Sequence, residues 1–502
     1  MTQLATVLSR GAFGVEAPQV RVEVHISRGM PGLSIVGMPE TAVKESKDRV
    51  RAAIMNSGFE FPQHRITINL SPADIPKQGG RYDLPIAIGI LAASDQVKTT
   101  RMADVEFVGE LALGGELRPI SGILPVVNAA SAHNRCLILP CDNGDEAALV
   151  TQCESRMASN LLQVCAWLDA VGELDVAHVM KKKQSPTSCP DLSDVKGQEQ
   201  AKRALIIAAA GGHNLLLFGP PGTGKTMLAS RLPGILPQLT EAQALETAQV
   251  ASISAQGFDP NKWGIPPFRN PHHTASAVAL VGGGSNPLPG EISMAQNGVL
   301  FLDELAEFSR HVLEVLREPL ESGKIIISRA ARSAEFPARF QLITSLNPCP
   351  CGYYGDNSRT CQCTPGQIHH YRNKISGPLL DRIDLQVEVP RIPHKQLRQD
   401  TNTQVNSITI QKQVVASRQI QIKRNNGKTN ALLSNKELEQ WVPLTEMQLD
   451  FLEQVVDRLK LSARAYHRII KVSRTIADLD ASEKVTQAHL IEAIGYRSFD
   501  RS

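Results

Sequence analysis

The octapeptide Gly219-Pro220-Pro221-Gly222-Thr223-Gly224-Lys225-Thr226 constrains this chain more than any other stretch, because it fills every fixed position of the phosphate-loop pattern G-x-x-x-x-G-K-[ST]. Such a loop works only between a buried strand and a helix. The apolar run Asn214-Leu215-Leu216-Leu217-Phe218 predicts the strand, and Met227 to Leu232 predicts the helix that the loop opens. The glycines let successive backbone N–H groups curl around phosphate oxygens, Lys225 neutralises charge at the β and γ positions, and the Thr226 hydroxyl can hold Mg²⁺. The expectation is an α/β nucleotide-binding core with a parallel sheet, taking ATP and Mg²⁺.

A second apolar strand, Gly298-Val299-Leu300-Phe301-Leu302, ends in Asp303-Glu304, and is expected beside the loop strand. There Asp303 can complete the Mg²⁺ shell, and Glu304 can orient or deprotonate an attacking water. A third, Phe340 to Leu346, ends at Asn347, whose amide suits either a γ-phosphate contact or a plain turn. Arg382 and Arg464 follow in order; each suits transition-state charge or an ordinary salt bridge.

Length and composition exclude several classes. At 502 residues the chain calls for more than one core. Fifty-three basic against fifty acidic residues leave +3, so a polyanionic partner must be met by local patches. Met1 to Val7 do not form a basic segment leading into an apolar core, and no run of about eighteen apolar residues occurs. A cytoplasmic protein without membrane contact is expected, its nine cysteines reduced. Four of them, Cys349, Cys351, Cys361 and Cys363, form C-x-C-x₉-C-x-C directly after Asn347, a set that suits structural Zn²⁺ or four free thiols in a loop.

Composition also divides the chain. Lys181 to Pro190, with its lysine run and two prolines, marks a linker within residues 176–192. Residues 1–175 alternate strand-like runs (Val20 to Ile26, Ile66 to Leu70) with a helical stretch from Thr41 to Met55, hence an α+β domain. Residues 193–395 hold the nucleotide core. A Gln, Asn, Lys and Arg-rich passage at about 391–430 precedes apolar helical spacing from Leu438 to Ile494, so residues 396–502 read as a helical lid. Lys44, Lys47, Arg49 and Arg51 suit a solvated helix face better than a nucleic-acid site.

From Val195-Lys196-Gly197-Gln198 onward the order of motifs resembles an AAA+ ATPase of the magnesium-chelatase-like branch. Pro271-His272-His273-Thr274, Gly282-Gly283-Gly284 and Pro289-Gly290-Glu291, running into Asp303-Glu304, resemble the ComM/YifB family, and the likeness extends over nearly the whole chain. It implies an insertion within the 78 positions from Lys225 to Asp303, and a hairpin made of Ile325 to Arg329 and Phe336 to Phe340 joined by Ala330 to Glu335. It implies Asn347 as first sensor, Arg382 as a finger into a neighbouring subunit's ATP and Arg464 as second sensor, in a homohexamer. Arg329, Arg332 and Arg339, with His272 and His273, would then face DNA in a central channel; the arginines suit intersubunit salt bridges equally, and the histidines a structural turn.

Asn69 to Asp74, Tyr82 to Ala87 and Gly109 to Glu116 look like the Lon-protease fold, related to the second domain of ribosomal protein S5. The catalytic serine position of that fold falls near Asp83 and the lysine position near Leu124, so no peptidase activity is expected. The whole resemblance implies a hexameric ATP-dependent motor on single-stranded and branched DNA. Its work would be helicase or branch-migration chemistry that promotes strand integration in natural transformation and homologous recombination. A magnesium-chelatase motor subunit or a protein-remodelling ATPase, with Trp263 and Phe268 as the nearest pore aromatics, is the alternative.

Overall fold

The computed structural model describes residues 3–178, 189–284, 287–329, 332–356, 359–393, 405–459, 461–497 and 499. The expected linker run Lys181 to Ser188 lies outside the described residues, as do the side chains of Arg329 and Arg332.

Two sheets organise the chain. The first has eight strands in the order Asp175–Val176, Ser155–Ala158, Cys136–Pro140, Val105–Phe107, Gln3–Arg10, Gln19–Ser27, Arg65–Ser71 and Gly32–Val36. Strand Gln19–Ser27 turns Val20, Val22, Val24 and Ile26 inward, the period of two that a half-covered sheet requires. Helix Asp83–Ala93 covers that face and is buried along its whole length. Gly89 permits the approach, since a Cβ there would meet Val24 Cγ2 at 2.6 Å. Helix Thr41–Asn56 packs on it in turn. At the sheet's centre Glu106 is fully buried, held by Arg10 at 2.7 Å and Arg135 at 2.9 Å.

Asp83 opens its helix with its carboxylate accepting from Arg49 Nε at 2.8 Å and from the Leu111 N–H at 3.3 Å. Burial pushes its pKa up to about 6 against the pull of Arg49. Leu124 is buried in helix Ile123–Ala132. Neither residue offers the hydroxyl or amine of a serine–lysine pair. Arg49 is thus a packing residue, and Arg51 lies over the Phe61 ring at 5.3 Å.

The second sheet has five strands, every neighbouring pair parallel, in the order Phe268–Arg269, Val299–Leu302, Gln341–Leu346, Leu215–Phe218 and Leu385–Glu388. Both faces are covered, which is why these strands read as unbroken apolar runs. Leu215, Leu217 and Phe301 enter the core on one face; Leu216, Phe218, Leu300 and Leu302 enter the core on the other. Each such side chain contributes about 1.5–3 kcal/mol by leaving water. One expectation is corrected. The strand ending in Asp303 does not adjoin the loop strand, because Gln341–Leu346 stands between them with Ile343 in register with both Leu215 and Phe301.

The C-terminal helices Ser407–Arg424, Asn435–Trp441, Glu446–Arg458, Ala463–Leu479 and Gln487–Gly495 share one hydrophobic core with helix Glu199–Gly211 and one face of this sheet. Ser407–Arg424 arises inside the polar passage that composition alone marked as a break. It buries Ile410, Val414, Ser417 and Gln421 at helical spacing, with Gln421 Nε2 donating to Ala210 O at 3.2 Å and Gln421 Oε1 accepting from Asn430 N at 3.0 Å. The first sheet's unit meets the second through helices Ile123–Ala132 and Glu241–Ser252, where Gly122 N donates to Ser252 O at 3.0 Å. Among the described residues no helix is long and apolar enough to cross a membrane.

Candidate nucleotide site

Strand Leu215–Phe218 delivers the phosphate loop, and helix Lys225–Ala229 leaves it. The chain runs through positive φ at Gly222 (77°) and Gly224 (91°), the alternation from which a nest of backbone N–H groups is built. A Cβ at either glycine would meet nothing within 4 Å, so the cradle stands open. Gly219 is the reverse case: a Cβ there would strike Val389 O at 2.4 Å. Pro220 closes the turn by accepting from Thr223 Oγ1 at 3.0 Å.

Lys225 is 8% exposed, and its Nζ donates to Gly219 O at 2.7 Å, Pro220 O at 2.9 Å and Asn347 Oδ1 at 3.1 Å. Burial pulls its pKa down to about 8, while Asp303 and Glu304 favour the charged form. Thr226 Oγ1 donates to Asp303 Oδ2 at 2.8 Å, placing together the hydroxyl and carboxylate that would share a Mg²⁺ ion. The open cradle, the buried ammonium and this pair fit a magnesium nucleotide. The strand expected to end at Asn347 lies, unexpectedly, between the loop strand and the Asp303 strand, and brings Asn347 onto Lys225.

Glu304 adopts φ 53°, a left-handed conformation that costs a non-glycine residue about 1–3 kcal/mol unless its surroundings hold it. They do: its N–H donates to Ser345 Oγ at 2.9 Å and Asp303 Oδ1 at 3.1 Å, and the Ser345 hydroxyl itself bonds Asp303. Sequence reasoning missed Ser345, although its place two residues before Asn347 puts it on the same face of the strand. His273, expected with His272 to face DNA or form a structural turn, lies instead beside Glu304. His273 Nδ1 lies 3.8 Å from Glu304 Oε2, with the His272 ring tilted against it by 33° at a centroid separation of 4.1 Å. The structure therefore sets this pair against the acidic end of the site.

Arg382 and Arg464 are elsewhere. The start of strand Leu385–Glu388 is in register with Leu215, four residues before Gly219, so Arg382 stands at least about 13 Å of strand away from the loop. Arg382 is buried against Glu321, and burial lowers its pKa, with Glu321 opposing. Arg464 is 3.8 Å from Asp381 on the same edge, and Arg468 pairs with the neighbouring Asp384. Burial would raise the Asp384 carboxyl, but Arg468 and His213 hold it far below the usual range.

The hairpin differs in register from the one expected. Strands Lys324–Arg329 and Arg332–Pro337 pair from Lys324↔Pro337 to Arg329↔Arg332, so the segment read as a connection is mostly strand. Ile325, Ile327, Ala334 and Phe336 face the core, and Lys324 bridges Glu335 at 3.1 Å. Arg339 falls outside the hairpin, with its N–H on Gln296 Oε1 at 2.6 Å. Cys349, Cys351, Cys361 and Cys363 converge, all four sulfurs within 4.8 Å of one another. Trp263 packs edge-on to Phe258 and Phe268 stacks on Phe301, so both aromatics are engaged internally.

A five-stranded parallel sheet of this order, a phosphate loop at its C-terminal end, an acidic strand end and an α-helical C-terminal region define a magnesium-chelatase-like AAA+ protein. Three family models match in series: "Subunit ChlI of Mg-chelatase" over residues 22–143, "Magnesium chelatase, subunit ChlI" over 191–397 and "Magnesium chelatase, subunit ChlI C-terminal" over 404–497. Competence protein ComM of Haemophilus influenzae is 52% identical over 503 residues, covering 99% of this chain and 98% of that protein. YifB of Escherichia coli is 50% identical over 504 residues with the same coverage. The magnesium-chelatase 38 kDa subunit of Cereibacter sphaeroides is 27% identical over 234 residues, 43% of this chain and 62% of that one. The chain belongs to the ComM/YifB family of magnesium-chelatase-like proteins.

Proposed function

We propose that this chain is the subunit of a hexameric, ATP-driven DNA motor that unwinds or branch-migrates DNA to promote single-strand integration in natural transformation and homologous recombination. The observation that carries the ring is the division of the site across the sheet. Lys225, Thr226, Asp303, Glu304 and Asn347 gather at one end, while Arg382 and Arg464 gather at the other, out of reach of their own loop. A second copy is needed to bring the two halves together, and both arginines then act in trans.

A bound magnesium nucleotide would supply the electrophilic γ-phosphorus. Lys225 and the loop amides would hold the phosphates, Thr226 and Asp303 the metal, and Glu304 would take a proton from water. Asn347, already bonded to Lys225, would register the γ-phosphate, and Arg382 of the neighbouring copy would stabilise transferring charge. DNA as substrate is supported by the relative named a competence protein and by the paired hairpin that carries Arg329 and Arg332. Residues 1–175 are read as a Lon-like layer without peptidase chemistry, and the four thiolates as a structural Zn²⁺ site.

The experiment is ATPase activity with single-stranded DNA, forked DNA, unfolded protein or a porphyrin-inserting partner, together with strand displacement on the fork. Forked or single-stranded DNA should stimulate, and Lys225→Ala should abolish displacement. Stimulation by the other additives alone, or unwinding by Lys225→Ala, would reject the DNA motor. The engaged positions of Trp263 and Phe268 weigh against a protein-threading pore.

A further inference from the structure

We infer that the four-cysteine knuckle is a zinc-dependent wall of the phosphate loop, so that nucleotide affinity depends on zinc occupancy; this rests on the zinc reading above. The sulfur geometry comes first. Cys349 Sγ lies 3.3 Å from Cys351 Sγ and 3.7 Å from Cys361 Sγ, and Cys351 Sγ lies 3.6 Å from Cys361 Sγ. A disulfide needs about 2.05 Å. Tetrahedral zinc with Zn–S bonds of about 2.3 Å sets its sulfurs about 3.8 Å apart, close to these separations. Four thiolates leave such an ion no open position, so its role is structural.

Apart from the sulfurs, the knuckle is held by polar and cation–π contacts, with Tyr353 between Arg359 and Arg391 and Tyr354 under Arg372, and not by an apolar core. Between Cys349 and Tyr371 no other apolar side chain among the described residues is fully buried. A loop without a core takes its order from the metal it binds.

What the knuckle touches gives the metal its consequence. Gly352, at φ 82°, closes the first cysteine pair by donating its N–H to Cys349 O at 2.9 Å, and a Cβ there would strike Pro221 of the phosphate loop at 2.7 Å. Asn347, which holds the Lys225 ammonium, is two residues before the first ligand. After the last ligand Thr364 caps helix Pro365–Arg372, and Arg372 Nε reaches back to Pro348 O at 3.3 Å. Beyond that helix Lys374 Nζ donates to Ala306 O at 3.1 Å, just past Glu304. Asp356, inside the knuckle, pairs at 3.0 Å with Arg391, next to the Pro390 carbonyl that accepts from Gln198 Nε2 at 2.7 Å. The segment therefore abuts the loop, the Asn347 strand end and the acidic strand end at once. With zinc the wall is rigid, and Pro221 and Asn347 keep their places; without it the thiolates take up protons, the cross-link between the two cysteine pairs is gone, and both lose that support.

The test uses the full-length chain. Zinc per chain is measured by elemental analysis, and affinity is measured by titrating a fluorescent ADP analogue at constant Mg²⁺. Three forms are compared: the purified protein, protein stripped by a chelator that prefers zinc to magnesium and then reloaded, and Cys361→Ser/Cys363→Ser. About one zinc per chain is expected, with affinity falling roughly tenfold or more on stripping, the scale of one lost charge-assisted hydrogen bond. Recovery should follow added Zn²⁺ and not added Mg²⁺, which separates the effect from irreversible unfolding. The double variant should carry no zinc and bind as weakly as stripped protein. Wild-type affinity in zinc-free protein would overturn the coupling and leave the zinc site standing. Wild-type protein that neither contains nor takes up zinc would overturn the site itself.

Discussion

The low pKa of Lys225 makes nucleotide binding sensitive to pH in a calculable way. Burial brings the ammonium from the ordinary 10.5 to about 8. Its folded value lies below its unfolded value, so the folded chain holds fewer protons between those limits, and this group's contribution to stability rises with pH across about 8 to 10.5. Binding runs the other way, because phosphate oxygens favour the charged form and restore the proton. At pH 9, one unit above the folded value, roughly one chain in eleven is protonated, and affinity should be about tenfold weaker than at pH 7, or about 1.4 kcal/mol. Isothermal titration of an ATP analogue from pH 7 to 9.5, repeated in buffers of different ionisation enthalpy, reads both the affinity and the proton taken up. Lys225→Arg keeps its charge throughout and should flatten the slope even where it binds more weakly. An unchanged affinity from pH 7 to 9.5 in the wild type, with no proton uptake, would refute the reasoning.

Glu304→Gln should bind ATP with little change yet lose turnover by about 10²–10⁴, seen by single-turnover phosphate release against equilibrium binding. Arg382→Ala should leave affinity at its own loop intact and cut hydrolysis by about 10³ or more; mixing it with Lys225→Ala chains should give more activity than either variant alone. Glu106→Gln, which leaves Arg10 and Arg135 with uncompensated charge around a fully buried position, should cost about 3–5 kcal/mol, read in denaturant unfolding of the first sheet's unit.

Contiguous chemistry was the legible part of this chain. A glycine loop between an apolar strand and a helix, or a strand ending in two carboxylates, carries its meaning within about ten residues, and no partner from elsewhere is needed to see it. Spatial order was not legible in the same way, since Gln341–Leu346 separates the loop strand from the Asp303 strand through crossovers that no local pattern encodes. Through-space partners were hidden for the same reason: Ser345 under Glu304, His273 beside it, and Glu321 on Arg382. In the hairpin, Ser333 and Glu335 have the composition of loop residues although both are paired in the ladder. Their alternation with buried Ala334 and Phe336, and the Lys324–Glu335 pair, are what make them strand. Helix Ser407–Arg424 was obscured because its inward face uses Ser417 and Gln421, which are satisfied by hydrogen bonds that composition cannot reveal.

One continuous segment links the proposed output to the site. The hairpin Lys324–Pro337 leads through residues 338–340 into strand Gln341–Leu346, then Asn347, then the cysteines. That strand is hydrogen-bonded on both sides and buried at all six positions, so it cannot slip in register without turning its apolar set to the wrong face. Motion that follows nucleotide state therefore cannot travel by strand sliding. It must be taken up where the chain enters the sheet, at 338–340, whose ties to the core include Arg339 N to Gln296 Oε1 at 2.6 Å and Asn297 N to Arg339 O at 2.7 Å. Those two bonds attach the hairpin base to the turn Gln296-Asn297 that joins helix Glu291–Met294 to the acidic strand Val299–Leu302, so Glu304 and the hairpin base share a mount. In that arrangement the residues proposed to sense and cleave ATP and the hairpin proposed to meet DNA are attached to the same piece of backbone.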